Sequence, residues 1–107
     1  MFVAEDFLGE HRTRIDRVEF QAGTNSVTRW NNHDGHEFVL ILKGTVECEF
    51  AVGKNDARIQ HTLSSGDAIA FPSGLYHRFW NASAEQEAML VAAKPSNSRS
   101  AAFKKSV

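Results

Sequence analysis

The chain has 107 residues, 42% of them apolar and 23% charged, with a formal net charge of −1. That length suits one domain with a modest core, and the balance argues against a disordered chain and against a basic nucleic-acid-binding surface. Eight Phe and two Trp against two Met favour a rigid, aromatic-rich β core over a helical bundle.

Met1 to Glu10 carries Phe2, Val3, Phe7 and Leu8 and reads as a short amphipathic segment ended by Gly9. It also holds Glu5, Asp6 and Glu10, so it does not have the make-up of a secretory signal. Arg12 to Phe20 suggests a strand with one side exposed, followed by a turn cluster from Gln21 to Ser26. Val27 to Asn31 reads as a short strand and Asn32 to Gly35 as a turn or bulge. Phe38 to Leu42 is an uninterrupted run of large apolar residues. It is far too short to span a bilayer and fits a strand buried on both faces. Thr45 to Val52 alternates, with Val46, Cys48, Phe50 and Val52 on one side and Glu47, Glu49 and Ala51 on the other.

Gly53 to Asp56 makes a hairpin turn, and Ala57 to Leu63 returns as a more polar strand. Ser64 to Asp67 is a second turn and Ala68 to Phe71 a short apolar strand. Pro72 removes a ladder donor and Gly74 frees the backbone for a sharp reversal. His77 follows on the next strand. A turn from Ala82 to Glu85 precedes the last strand, Glu87 to Ala93, which Pro95 stops. The tail from Ser96 to Val107, rich in Ser and Lys, is expected to fray. No segment sustains an apolar period near 3.6, and short strands with frequent turn signals indicate an all-β sandwich or barrel. Cys48 is the only cysteine, which excludes an intramolecular disulfide and a Cys-based zinc site. It reads as a small buried apolar group. The chain is expected to be one soluble, cytoplasmic domain over residues 1–107, without nucleic-acid or membrane partners.

Gly66, Pro72, Gly74, His77 and Asn81 follow the spacing Gly, five residues, Pro, one, Gly, two, His, three, Asn. That pattern resembles the second motif of the cupin superfamily. The first cupin motif reads His, one, His, three or four, Glu, six, Gly, and here His33, Glu37 and Gly44 stand at the right places. Asn31 takes the place of the first histidine, and the motif's leading glycine falls at Asn25, with Gly23 two residues early. The resemblance implies a double-stranded β-helix, a jelly-roll barrel of six to eight strands with a metal or ligand site inside it. The segment His36 to Gly44 also looks like the cupin domains appended to bacterial helix-turn-helix regulators, although no helix-turn-helix segment is apparent here.

Asn31, His33 and Glu37 share odd parity, so in a continuous strand they would face one way, with a bulge at Gly35 able to disturb this. His36 has the opposite parity and should point away. Converging His33, Glu37 and His77 would supply two imidazoles and a carboxylate, a set that suits Fe(II) and also Mn, Ni, Co or Zn. Asn31 is a poorer ligand than imidazole and is placed among the ligand-binding residues with Val39, Phe50, Phe71 and Phe79, whose walls suit a small, partly apolar molecule. His11, His61, Glu47, Glu49 and Arg58 read as solvated.

Beside an inert interaction domain whose site has decayed, two functions follow from the same residues. One is a small metal-binding barrel acting on or binding an organic molecule, whether as dioxygenase, isomerase, lyase or receptor. The other is a metal-free ligand-binding or sensor barrel without catalysis. If Glu37, Val39 and Ile41 face inward, Phe38, Leu40 and Leu42 face outward and need a cover, which leads to an expected homodimer.

Overall fold

The computed structural model describes residues 13–22, 30–53 and 55–95. These residues form seven strands: β1 (Thr13–Phe20), β2 (Glu37–Lys43), β3 (Thr45–Ala51), β4 (Ile59–Ser64), β5 (Ala68–Phe71), β6 (Tyr76–Asn81) and β7 (Ala88–Pro95). The expected all-β architecture is present, and the described residues include no helix. None therefore is long and apolar enough to cross a membrane. The amphipathic segment 1–10, His11, residues 27–29 and the tail 96–107 lie outside the described residues.

Two antiparallel sheets face each other, one ordered β1-β7-β2-β5 and the other β4-β3-β6. Period-two patterning sorts each strand into an inner and an outer face. Val39 and Ile41 on β2, Val46 and Cys48 on β3, Phe71, Phe79, and Ala88, Leu90 and Ala92 on β7 make the core between the sheets, closed by Phe20 and Leu63. Burial pushes the Cys48 thiol up to about 12, with nearby carboxylates adding to the shift, so it is the inert core group its position implied.

The glycines of the two motifs have different physical duties. Gly44 joins β2 to β3 with φ +76°, and a Cβ there would strike the Glu87 carbonyl oxygen and press on Ala88. Gly74 has φ +87° but nothing near its missing side chain. The first glycine permits a close approach to β7, whereas the second only permits the turn.

Four local expectations need correction. The run Phe38 to Leu42 is buried on one face only, since Phe38 and Leu42 are 49% and 45% exposed while Val39 and Ile41 are sealed. Val52 lies past the end of β3 and is exposed, because the chain has already bent away from the ladder. β7 runs through Pro95, whose partner is Thr13 on β1. Proline is tolerated there because it ends the strand. Glu49 is not solvated, for its carboxylate takes the Arg78 guanidinium at 2.7 Å and Arg58 at 3.6 Å. Both guanidinium groups lie over the Trp30 ring, which roofs this outer face of the smaller sheet.

Candidate metal centre

His77 reaches the interior from β6, whose inward residues His77, Phe79 and Asn81 are buried and alternate with half-buried Tyr76, Arg78 and Trp80. Asn31 pairs with it directly, each backbone N–H donating to the other's carbonyl at 2.9 Å. Directly opposed residues of an antiparallel pair project to one face, so Asn31 stands on the same inner side as His77. The segment around Asn31 thus extends the smaller sheet, while Glu37 begins β2 of the larger one. The bend at Asp34 and Gly35, with Gly35 at φ 85°, carries the chain across. His33 and Glu37 therefore meet by turning a corner between sheets, and not through the parity of one continuous strand. The Gly35 N–H donates to the Ser73 hydroxyl at 2.8 Å and Gly74 N–H to the His33 carbonyl at 3.0 Å, which locks this corner against the second motif. His36 is exposed and points away, as expected.

His33, Glu37 and His77 are all buried, at 4%, 5% and 3% exposure, and each offers a donor atom within 4.8 Å of the others. His33 Nε2 lies 2.8 Å and His77 Nε2 3.6 Å from the same Glu37 oxygen, Oε1. Bond lengths of about 2.0–2.2 Å at right angles would set neighbouring donors about 3 Å apart, so the two distances to Glu37 suit a small divalent cation, around which donors now spread over as much as 4.8 Å would draw closer. The ring orientations fit too. His33 Nδ1–H donates to the Asp34 carbonyl at 3.1 Å and His77 Nδ1–H to the Leu75 carbonyl at 3.0 Å. Since a carbonyl can only accept, both rings carry hydrogen on Nδ1 and turn Nε2 to the centre, as a metal-ligating imidazole requires.

Without a cation, His33 also donates from Nε2 to Glu37. That hydrogen bond raises the His33 pKa against the opposing effect of burial. Burial by itself would raise the Glu37 carboxyl. The His33 hydrogen bond, the approach of His77 and the charges of His77 and Lys94 together outweigh burial and hold it at about 2. Glu37 is thus a carboxylate across the whole working range.

The aromatic residues assigned to the pocket stand next to this centre. Phe71 stacks on the His77 ring with centroids 4.7 Å apart and planes 9° apart. Phe50 and Phe79 each meet Phe71 edge-on, at 5.9 and 5.7 Å. Val39 is fully buried and belongs to the core. His61 is exposed, as expected, and stacks on Phe50 at 5.8 Å. Asn81 serves the scaffold: its side-chain N–H groups donate to the Gln21 and Gln86 carbonyls and its oxygen accepts from Ser83 N–H.

One charged residue beside the centre escaped the sequence reading. Lys94 Nζ lies 4.0 Å from Glu37 Oε1. Its signal was present in the parity of β7, where Ala88, Leu90 and Ala92 are the buried positions and Lys94 continues the even-numbered face. Ending the strand at Ala93 hid it.

Residues 16–93 match the family model of the cupin domain. An auxin-binding protein of Prunus persica is 32% identical over 75 residues, which is 69% of this chain and 35% of that protein. The chain therefore spans about a third of the length of the curated relatives it matches. Among solved structures, the vicilin of Capsicum annuum superposes with a TM-score of 0.73 at 23% identity, over 90% of this chain and 26% of that one. An oxalate oxidase superposes with a TM-score of 0.65 at 20% identity, over 77% of this chain and 41% of the other. At such identities these two likenesses bear on the fold alone. The family match covers both motifs and every strand but the outer ends of β1 and β7, and the chain belongs to the cupin family.

Proposed function

We propose that this chain, as one barrel domain, binds a divalent first-row metal through His33, Glu37 and His77 and uses it to bind or transform a small organic molecule. The observation that carries the reading is the pair of imidazoles whose Nδ1–H groups are tied to backbone carbonyls while both Nε2 atoms and Glu37 Oε1 gather within 4.8 Å. Three protein donors leave coordination positions for a ligand, as in sites for Fe, Mn, Co, Ni or Zn. When bound, such an ion supplies Lewis acidity and a charge that orients the ligand. The protein's part is to fix two neutral imidazoles and one carboxylate, to place Asn31 where its amide can hydrogen-bond a bound molecule, and to exclude water behind Phe71 and Phe79. The similarity to an auxin-binding protein of Prunus persica supports a small-molecule ligand.

Elemental analysis of the purified protein, with calorimetric titration of Mn, Fe, Co, Ni and Zn, tests the proposal. The wild type should hold close to one equivalent, and His77→Ala or Glu37→Ala should lose it. A wild type that takes up none of these metals refutes the reading.

A metal-free sensor is the second reading, and two observations favour it. Asn31 replaces a motif imidazole, and the His33–Glu37 hydrogen bond at 2.8 Å satisfies both partners without an ion. We further propose a cytoplasmic homodimer: the lone cysteine is buried, and the exposed Phe38 and Leu42 form an apolar outer face.

A further inference from the structure

The pairing of the larger sheet sets one row of opposed residues across its inner side. Arg14 on β1 faces Lys94 on β7, and Glu37 on β2 faces Phe71 on β5. Continuing the β2–β7 register one step from Phe38 and Ala93 brings Lys94 opposite Glu37, in agreement with their 4.0 Å contact. Lysine is an uncommon choice for an inner face whose other β7 members are Ala88, Leu90 and Ala92, because a partly desolvated ammonium needs acceptors. The Lys94 side chain is only 22% exposed. Its ammonium has three donors, yet its one ion pair among the described residues, at 4.0 Å, is too long for a hydrogen bond. The Glu37 oxygen it faces is already held by His33 at 2.8 Å. Arg14, the other cation of the row, is paired with Asp16 at 2.9 Å. Lys94 is therefore the cation of this inner row that has no hydrogen-bonded partner among the described residues, and it lies beside the metal donors.

Charge counting gives the consequence. Glu37 and Lys94 cancel; a divalent ion held by Glu37 and two neutral imidazoles then leaves two surplus positive charges in a mostly buried site. We infer that Lys94 is the anchor for an anionic ligand, specifically that a molecule bound beside this centre presents a carboxylate to the Lys94 ammonium. The inference rests on the proposed metal reading for its full strength. The apolar remainder of the ligand would lie along the Phe71 wall, which stacks on His77 at 4.7 Å. A hydrogen-bonded charge pair in such a place is the kind of contact that separates a carboxylate from its neutral amide.

Benzoate and benzamide are the probes, matched in shape and differing in charge. Titrated into Mn(II)-loaded wild type, benzoate should bind about tenfold or more tightly than benzamide, the scale of one hydrogen bond to a charged group. Lys94→Met and Lys94→Gln should keep Mn(II) at least as tightly, since a like charge is removed, and should lower that preference about tenfold; Lys94→Arg should retain it. Variants that hold Mn(II) and still prefer benzoate as the wild type does overturn the role of Lys94 and leave the metal reading standing. Equal binding of benzoate and benzamide by the wild type overturns it without recourse to any variant. If the wild type takes no Mn(II), the same pair of titrations on the metal-free chain decides for or against Lys94, and the metal reading rests on the titrations with the other ions.

Discussion

His33 donates from both ring nitrogens, to the Asp34 carbonyl and to the Glu37 carboxylate, so the metal-free centre stores a proton that a bound cation must displace. The linkage follows from the directions of the two shifts. A raised His33 pKa contributes stability that is complete below its ordinary value of 6.5 and is lost as pH rises through the raised value. The lowered Glu37 pKa contributes stability that is complete above its ordinary value of 4.5 and is lost as pH falls toward about 2. The centre should therefore stabilise the metal-free fold most between those two ordinary values. Thermal melts of the chelator-treated protein should show this pH dependence, and His33→Gln should flatten it. Metal affinity should run the other way and strengthen as pH rises, with proton release in calorimetry. Affinity that does not change with pH would remove the displaced proton from the account. Asn31 supplies a gain-of-function check. Because it is paired opposite His77 on one inner face, Asn31→His should tighten metal binding by about an order of magnitude, the effect of a fourth nitrogen donor. No gain would mean that position 31 does not address the centre.

The two motif glycines make the clearest prediction for elements. Gly44→Ala combines a left-handed φ with a Cβ driven into the Glu87 carbonyl, whereas Gly74→Ala meets open space. The first should lower stability by about 3 kcal/mol or more and the second by about 1–2 kcal/mol, as strain alone requires. Equal denaturant midpoint shifts would show that the approach of β7 relaxes freely. Asn81→Ala strips the Gln21 and Gln86 carbonyls of their donor and should cost about 1–3 kcal/mol without loss of metal. Much of this was legible beforehand. Alternation gave β3, turn residues bracketed β5 and β6, and the spacing of Gly66, Pro72, Gly74, His77 and Asn81 pointed to the second half of the site. What parity could not show was the corner at Asp34 and Gly35, because two-residue periodicity holds only within a strand and His33 and Glu37 belong to different sheets. Lys94 was missed for a related reason: proline was read as a strand stop, while β1 pairs Thr13 with Pro95 itself. Glu49 looked solvated because sequence neighbours do not show Arg78 and Trp30 arriving from other segments.

At the scale of the molecule, the larger sheet turns an apolar face outward. Phe38 and Leu42 are 49% and 45% exposed, and Leu40 between them has Val91 of β7 and Ala68 of β5 as strand partners. Covering each large side chain would stabilise an assembly by about 1.5–3 kcal/mol, which is the physical ground for the proposed dimer. Light scattering at micromolar concentration should show two chains, and Leu40→Lys should shift the wild-type mass to that of one. A monomeric wild type would defeat the dimer. The smaller sheet turns a different surface outward, where the Trp30 ring sits beneath Arg58 at 5.1 Å and Arg78 at 4.8 Å. Its chain neighbour Asn31 is paired opposite the buried His77, so one peptide step separates an indole on the outside from the centre within. That makes the protein its own optical gauge. With Trp80→Phe leaving Trp30 as the single indole of the chain's two, emission should change on titration with Co(II) and recover with a chelator. Occupancy could then be followed in real time without a label.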